Sequence, residues 1–276
     1  MVDDREARRG ARRPRSTSAD TPRRGPRRDR AGSWSGPGRA RPAQPQAAPA
    51  DAPRVTRDAP TIPPGVEAKQ LSPEIRRELS TLDRATADAV ARHLVAAGEL
   101  LDDDPQAALE HARAARARSS RIGAIREAVG IAAYQCGDWA QALAELRAAR
   151  RMGSKSALLA LIADCERGLG RPERAIDLAR GPEATQLTGD DADELRIVAA
   201  GARADLGQFA QALTLLSTPQ LDPTRTGSTS ARLFYAYADT LLALGRRDEA
   251  LQWFLHSTAA DIEGVTDAED RVSELG

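Results

Sequence analysis

Five alanines recur through this chain at nearly equal intervals: Ala108, Ala142, Ala175, Ala212 and Ala250, spaced by 34, 33, 37 and 38 residues. Each occupies the same place in a similar stretch: "LDDDPQAALEHARAARA", "CGDWAQALAELRAAR", "GLGRPERAIDLAR", "DLGQFAQALTLLS" and "ALGRRDEALQWFLHS". Upstream of each lies a second amphipathic segment of about 14 residues with helical apolar spacing, as in "GAIREAVGIAAYQC" and "ARLFYAYADTLLALG". A helix–turn–helix unit of this size cannot bury its apolar face alone. A chain built of such units buries its core by stacking one unit on the next.

The turns explain the punctuation. Four carry glycine in register, Gly137, Gly170, Gly207 and Gly245, with Asp103 in that place in the first unit. Glycine permits the left-handed backbone that stops a helix. The polar residue after it is placed to cap the next helix. Trp139 and Phe209, two residues past the glycine, are expected to wedge between the paired helices. The recurrent alanine lets the two backbones approach, and a larger side chain there would cost about 1–3 kcal/mol. Ala96, Gly130, Ala163, Ala200 and Ala238 form the matching small set on the first helices.

Pro182 and Pro219 fall where the second helices of the third and fourth units would continue. Those helices are expected to end early, with "GPEATQLTGDD" and "TPQLDPTRTGSTS" absorbing the longer period. Thr266 and Glu269 have the spacing of a capping box, marking a terminal helix that caps the stack. At the other end, Ser72 and Pro73 mark the first helix start.

In these residues the chain resembles the tetratricopeptide repeat family, over five degenerate repeats from about residue 85 to 260. The whole chain is also similar to tetratricopeptide proteins of high-G+C bacteria, a likeness that implies no activity. The resemblance implies an all-α, right-handed superhelical solenoid of about five helical hairpins. It also implies a concave groove lined by the first helix of each hairpin.

Composition divides the chain. Residues 1–50 hold 13 arginines, no lysine and five acids, a net charge of +8. The remainder holds 27 basic and 35 acidic residues, a net charge of −8. Residues 1–65, rich in Pro, Gly, Ser and Arg and nearly free of aliphatic side chains, are expected to be a disordered basic arm. Residues 66–276 form the helical repeat domain. Three functions fit the arm: a solvated tail, a segment that folds back on the acidic domain, or non-specific contact with RNA or the ribosome. Its "RRG" steps resemble Arg/Gly segments that track nucleic-acid backbones. On that last reading Arg8, Arg9, Arg12, Arg13, Arg23, Arg24, Arg27 and Arg28 are the contacts. Trp34 is the only aromatic available for stacking.

Catalytic chemistry finds no pattern here, so the chain reads as a non-enzyme without cofactor or metal. "GLG" around Gly170 joins two helices and lacks the lysine of a phosphate loop. The acids of "LDDD" and "GDDADE" sit at helix starts, where they cap and complement the dipole. "RRMGSK" sits at a helix end, where cations are favoured. Cys136 and Cys165 form no CxxC pair and read as small packed thiols on helices in a reducing cytosol. The opening residues lack the apolar core of a secretory signal. The longest clean apolar run, Ala157–Ala163, is far short of a membrane span. A cytoplasmic location follows.

Transferring the family's groove positions selects Val90, His93, Glu127, Ile131, Tyr134, Gln135, Asp164, Arg167, Glu194, Ile197, Asp205, Arg232, Tyr235, Asp239 and Leu242. Five acids there stand against two arginines. These are either the ordinary charges of solvated helices or a groove for a basic or mixed peptide, with Tyr134 and Tyr235 as anchors. Glu127, Tyr134, Asp164, Arg167, Tyr235 and Asp239 are the leading partner-binding residues. The Lys/Asn/Arg pattern of relatives that clamp a terminal carboxylate is missing. The expected function is an adaptor or scaffold for a protein or peptide. The runner-up is an RNA-associated factor working through the arm.

Overall fold

The computed structural model describes residues 59–154 and 157–276. The chain divides into Met1–Val55 and Thr56–Gly276, and the first of these lies wholly outside the described residues. So do nearly all of the basic arm and its eight candidate arginines. Packed chain begins slightly before the compositional boundary, because Ile62 and Leu71 pack on Val66, Val95 and Ala96.

The described residues are all helix and connection. A 3-10 turn, Ala68–Gln70, precedes α1 (Pro73–Leu79). Five antiparallel pairs follow: α2 (Arg84–Glu99) with α3 (Pro105–Arg118), α4 (Gly123–Gln135) with α5 (Trp139–Arg151), α6 (Leu159–Gly168) with α7 (Pro172–Ala179), α8 (Gly189–Asp205) with α9 (Phe209–Leu216), and α10 (Ser228–Ala243) with α11 (Arg247–Ala260). α12 (Ala268–Leu275) packs on α11, and α1 packs on α2 and α4.

The glycine turns are four copies of one geometry. Gly137, Gly170, Gly207 and Gly245 have φ of +73°, +74°, +72° and +77°. In each, the N–H of the following residue reaches back to a carbonyl five residues earlier, as Asp138 does to Ala133 at 2.9 Å and Arg246 to Leu241 at 3.0 Å. This is the double backbone closure that a left-handed residue allows at a helix end. Side-chain capping by the next residue is less general than its polarity suggests. Asp138 accepts from Gln141 N at 3.1 Å, but Arg171, Gln208 and Arg246 make no cap bond. Arginine has no acceptor to offer, and Gln208 instead accepts from Arg203. Ser72, Asp83 and Asp104 do cap α1, α2 and α3.

All five register alanines are fully buried, and their counterparts Ala96, Ala163, Ala200 and Ala238 are buried with them. Gly130 shows how tight the contact is: a Cβ there would lie 2.7 Å from the Leu146 side chain. Trp139 does more than wedge within its own pair. It meets Tyr134 of α4 edge-on at 5.2 Å, and its ring lies so close to Gly168 of α6 that a Cβ would fall 2.5 Å from it. It therefore joins the second pair to the third.

α7 and α9 stop at eight residues, ahead of Pro182 and Pro219, whereas α3, α5 and α11 run 13 or 14. The Thr266–Glu269 capping box does not form. α12 starts at Ala268, and the Thr266 N–H and hydroxyl both donate to Asp261, at 2.7 and 2.6 Å. Asp261, just past α11, also accepts from Val265 N and organises the turn itself.

Candidate functional site

Equal register brings equivalent side chains of successive first helices next to one another. On that face the structure draws a row of polar contacts from α4 to α12. The Tyr134 hydroxyl donates to Asp164. Arg167 donates to Asp164 at 2.8 Å and, through two nitrogens, to Asp205 at 2.8 and 3.2 Å. Arg232 of α10 pairs with Glu194 of α8, and Arg271 of α12 lies 3.4 Å from Asp239 of α10. Glu127 accepts from the Ser154 hydroxyl at 2.7 Å.

Charge and burial shape each group. Burial and the neighbouring Asp164 carboxylate push the Tyr134 hydroxyl well above its usual range, so it remains a donor. Burial, then the hydrogen bond to Asp267, does the same for Tyr235. Burial raises the Asp239 carboxyl, against the pull of Arg271. Burial opposes the Arg167 charge, but the Asp205 hydrogen bond and the Asp164 carboxylate outweigh it and hold the cation firmly. Arg167 lies against bare backbone: a Cβ at Gly201 would sit 2.7 Å from its guanidinium carbon. Sequence reading missed Gly201, whose only signal is a glycine interrupting α8 at the place where four other repeats have a side chain.

Of the six leading residues, Tyr134, Asp164 and Arg167 form one connected group. Tyr235 and Asp239 form another with Asp267 and Arg271, and Glu127 stands with Ser154. The five acids of this face are thus engaged by neighbouring side chains, two of them by the same arginine. Arg271, which also sits 5.3 Å over the Phe254 ring, was not among the expected residues. Val90 and His93 do not belong to the face. Both are buried, Val90 in a cluster with Ile75 and Leu79 of α1 and His93 against α3. His93 turns instead to His111 of α3, with their Nδ1 atoms 3.0 Å apart.

At the N-terminal end of the same face is a cavity of about 670 Å³ between α1, α2, α4 and the turn after α5. Its floor is apolar, with Leu94, Ala97, Ala132 and the half-buried Ala128 and Ile131, and Gly98 lies at its exposed edge. Its rim carries Glu74, Arg77, Glu78 and Glu127.

The cysteines are held as thiols. Burial, aided by Asp164 and Glu166, pushes Cys165 up to about 12. Burial also raises Cys136, whose Sγ lies 3.2 Å from the Pro105 carbonyl. Among the described residues, no group of three or more His, Cys, Asp or Glu side chains is placed to hold a metal ion. Among the same residues, no helix is long and apolar enough to cross a membrane.

No protein-family model matches the chain, and comparison with curated proteins finds no match.

Proposed function

We propose that this chain is a non-enzymatic cytoplasmic adaptor that binds a protein or peptide partner on the face lined by its first helices, and that its pairs build a tetratricopeptide-like right-handed solenoid. The observation that carries the reading is the row from Tyr134 to Asp205 across three consecutive pairs. Side chains fixed by neighbouring helices lose little freedom when a ligand arrives, which favours binding on a preorganised surface. Glu127, Tyr134, Asp164, Arg167, Tyr235 and Asp239 are the leading proposed contacts, and Glu194 with Arg232 lies on the same face.

The test keeps the fold and inverts the face. Exchanging the charges of one exposed pair, Glu194→Arg with Arg232→Glu, preserves the ion pair while reversing its pattern. A partner captured by the full chain and crosslinked to this face is expected to be lost from the swapped variant with an unchanged melt. Undiminished capture contradicts the reading.

A second reading is favoured by the 13 arginines of residues 1–50: non-specific binding of RNA through that segment. Each neutralised phosphate contributes about −0.7 to the slope of log affinity against log salt for a single strand. About five simultaneous contacts give a slope near −3 to −4. Replacing Arg8, Arg9, Arg12, Arg13, Arg23, Arg24, Arg27 and Arg28 by glutamine in the full chain is expected to abolish nuclease-sensitive binding. Retained binding removes this reading.

A further inference from the structure

We propose that the cavity between α1, α2 and α4 takes a segment of a partner protein that combines bulky apolar side chains with lysine or arginine. This inference rests on the adaptor reading and names the place and the partner's chemistry.

The shape argument starts from the floor. Ala97 is buried and Ala128 half-buried, and Gly98 at the exposed edge carries no side chain, so an apolar surface lies open between helices that elsewhere interlock. Gly98 is the informative member. It lies within the last turn of α2 and not at a left-handed cap, since its backbone is helical and the cap is Leu100. Glycine in a helix is less stable than alanine. Internal packing does not demand it here, because a Cβ at Gly98 would meet no atom within 4 Å. This contrasts with Gly130, Gly168 and Gly201, where a Cβ would strike a neighbour. Gly98 leaves space, and the space is large enough for apolar side chains of a ligand.

The charge argument selects the ligand. Along the rest of the face, Asp164, Asp205, Glu194 and Asp239 have arginine partners. At the cavity rim, Glu74 and Glu78 have no cationic partner among the described residues; the Glu78 carboxylate accepts the Ala124 N–H, at 3.2 Å. Arg77 is the one cation among the described lining residues. Acids over an apolar floor favour a segment whose cations flank its apolar side chains, and disfavour an acidic one.

The full chain is titrated by fluorescence anisotropy with a labelled amphipathic peptide of leucine and lysine. Its counterpart carries glutamate at every lysine position. The Leu/Lys peptide is expected to bind, and the Leu/Glu peptide to bind at least ~10-fold more weakly. Gly98→Leu puts a side chain into open space and is expected to weaken the Leu/Lys peptide ~10-fold or more, with the melt unchanged or raised. Glu74→Lys is expected to weaken it by about threefold and to strengthen the Leu/Glu peptide. No binding of the Leu/Lys peptide, equal binding of the two, or indifference to Gly98→Leu overturns the inference. The Glu194/Arg232 exchange separates this from the broader reading. If the exchange weakens the peptide and Gly98→Leu does not, binding occurs elsewhere on the face and only the present inference falls. If neither weakens it, both fall.

Discussion

Inside the second helix pair, a Cβ at Gly130 would collide with Leu146, and Ala142 is sealed from solvent. Between that pair and the third, Glu166 is equally sealed, yet it sits 2.7 Å from Arg147 of α5 and 3.5 Å from Arg171. The contrast repeats along the chain. Pair interiors are built from alanine and glycine held at fixed register. The junctions carry buried carboxylates: Glu145 of α5 with Arg116 of α3, Glu166 of α6 with Arg147 of α5, and Asp193 of α8 with Arg225 of the connection before α10, while Arg126, Arg171 and Arg196 add a second arginine to each from within its own pair. The difference teaches that closeness within a pair is a steric matter. The stacking of pairs is held partly by charge, whose net stabilisation is small but whose loss on one side is costly.

The largest effect is expected from placing charge in the steric region. Ala142→Arg buries a cation with no partner, and the cost is expected to exceed about 3 kcal/mol, enough to lose cooperative unfolding. A circular-dichroism melt reads this directly. Next comes a one-sided break at a junction. Arg147→Ala leaves Glu166 buried with only the longer Arg171 contact, and a loss of about 3 kcal/mol is expected by denaturant titration. Replacing both partners, Arg147→Met with Glu166→Met, is expected to recover most of that loss, since an apolar pair of similar volume leaves no stranded charge. If the double variant is as damaged as the single one, the junction is steric after all.

The first pair offers an intermediate test, because two buried histidines, His93 of α2 and His111 of α3, meet between its helices. Burial, with Arg118, His111 and Arg92 nearby, lowers His93 to about 4, and burial also lowers His111 against the pull of Glu110. The unfolded chain therefore binds more protons than the folded one between about pH 6.5 and 4. The stability these groups contribute is complete above about pH 6.5 and falls as pH drops toward 4, by at most about 1.4 kcal/mol per pH unit for each proton. His93→Leu with His111→Leu is expected to flatten that slope in urea titrations at stepped pH; an unchanged slope assigns it to other groups. The smallest effect is expected at an exposed pair: Arg150→Ala, which releases Glu183 at the surface, should change stability by less than about 1 kcal/mol.

What was legible in the sequence divides along the same line. Sterics leave a local and recurring signature, so the alanine register, the four glycine turns and the early ends before Pro182 and Pro219 could all be read in advance. Charge at the junctions leaves none, because Glu145 and Glu166 look like any acid on a solvated helix until the neighbouring pair covers them. The same holds for the candidate site. Its positions on the first helices followed from register, but their partners did not. Arg271 reaches Asp239 from a helix beyond the last pair, and Gly201 matters only because Arg167 lies on it. Val90 was misplaced because register is blind to α1, which packs over the first pair where no earlier pair exists, and His93 because it turns to His111 inside its own pair.

The register itself is most directly tested by an alanine-to-leucine series. Ala108, Ala142, Ala175, Ala212 and Ala250 are each replaced singly, beside the exposed Ala140, Ala144 and Ala210 as controls on the same helices. Unfolding free energies by denaturant titration are expected to fall by about 1–3 kcal/mol at all five register sites. The three controls are expected to stay within about 0.5 kcal/mol of the parent. Register sites that accept leucine freely, or controls that suffer equally, would contradict the claim that small residues at fixed register hold each pair together.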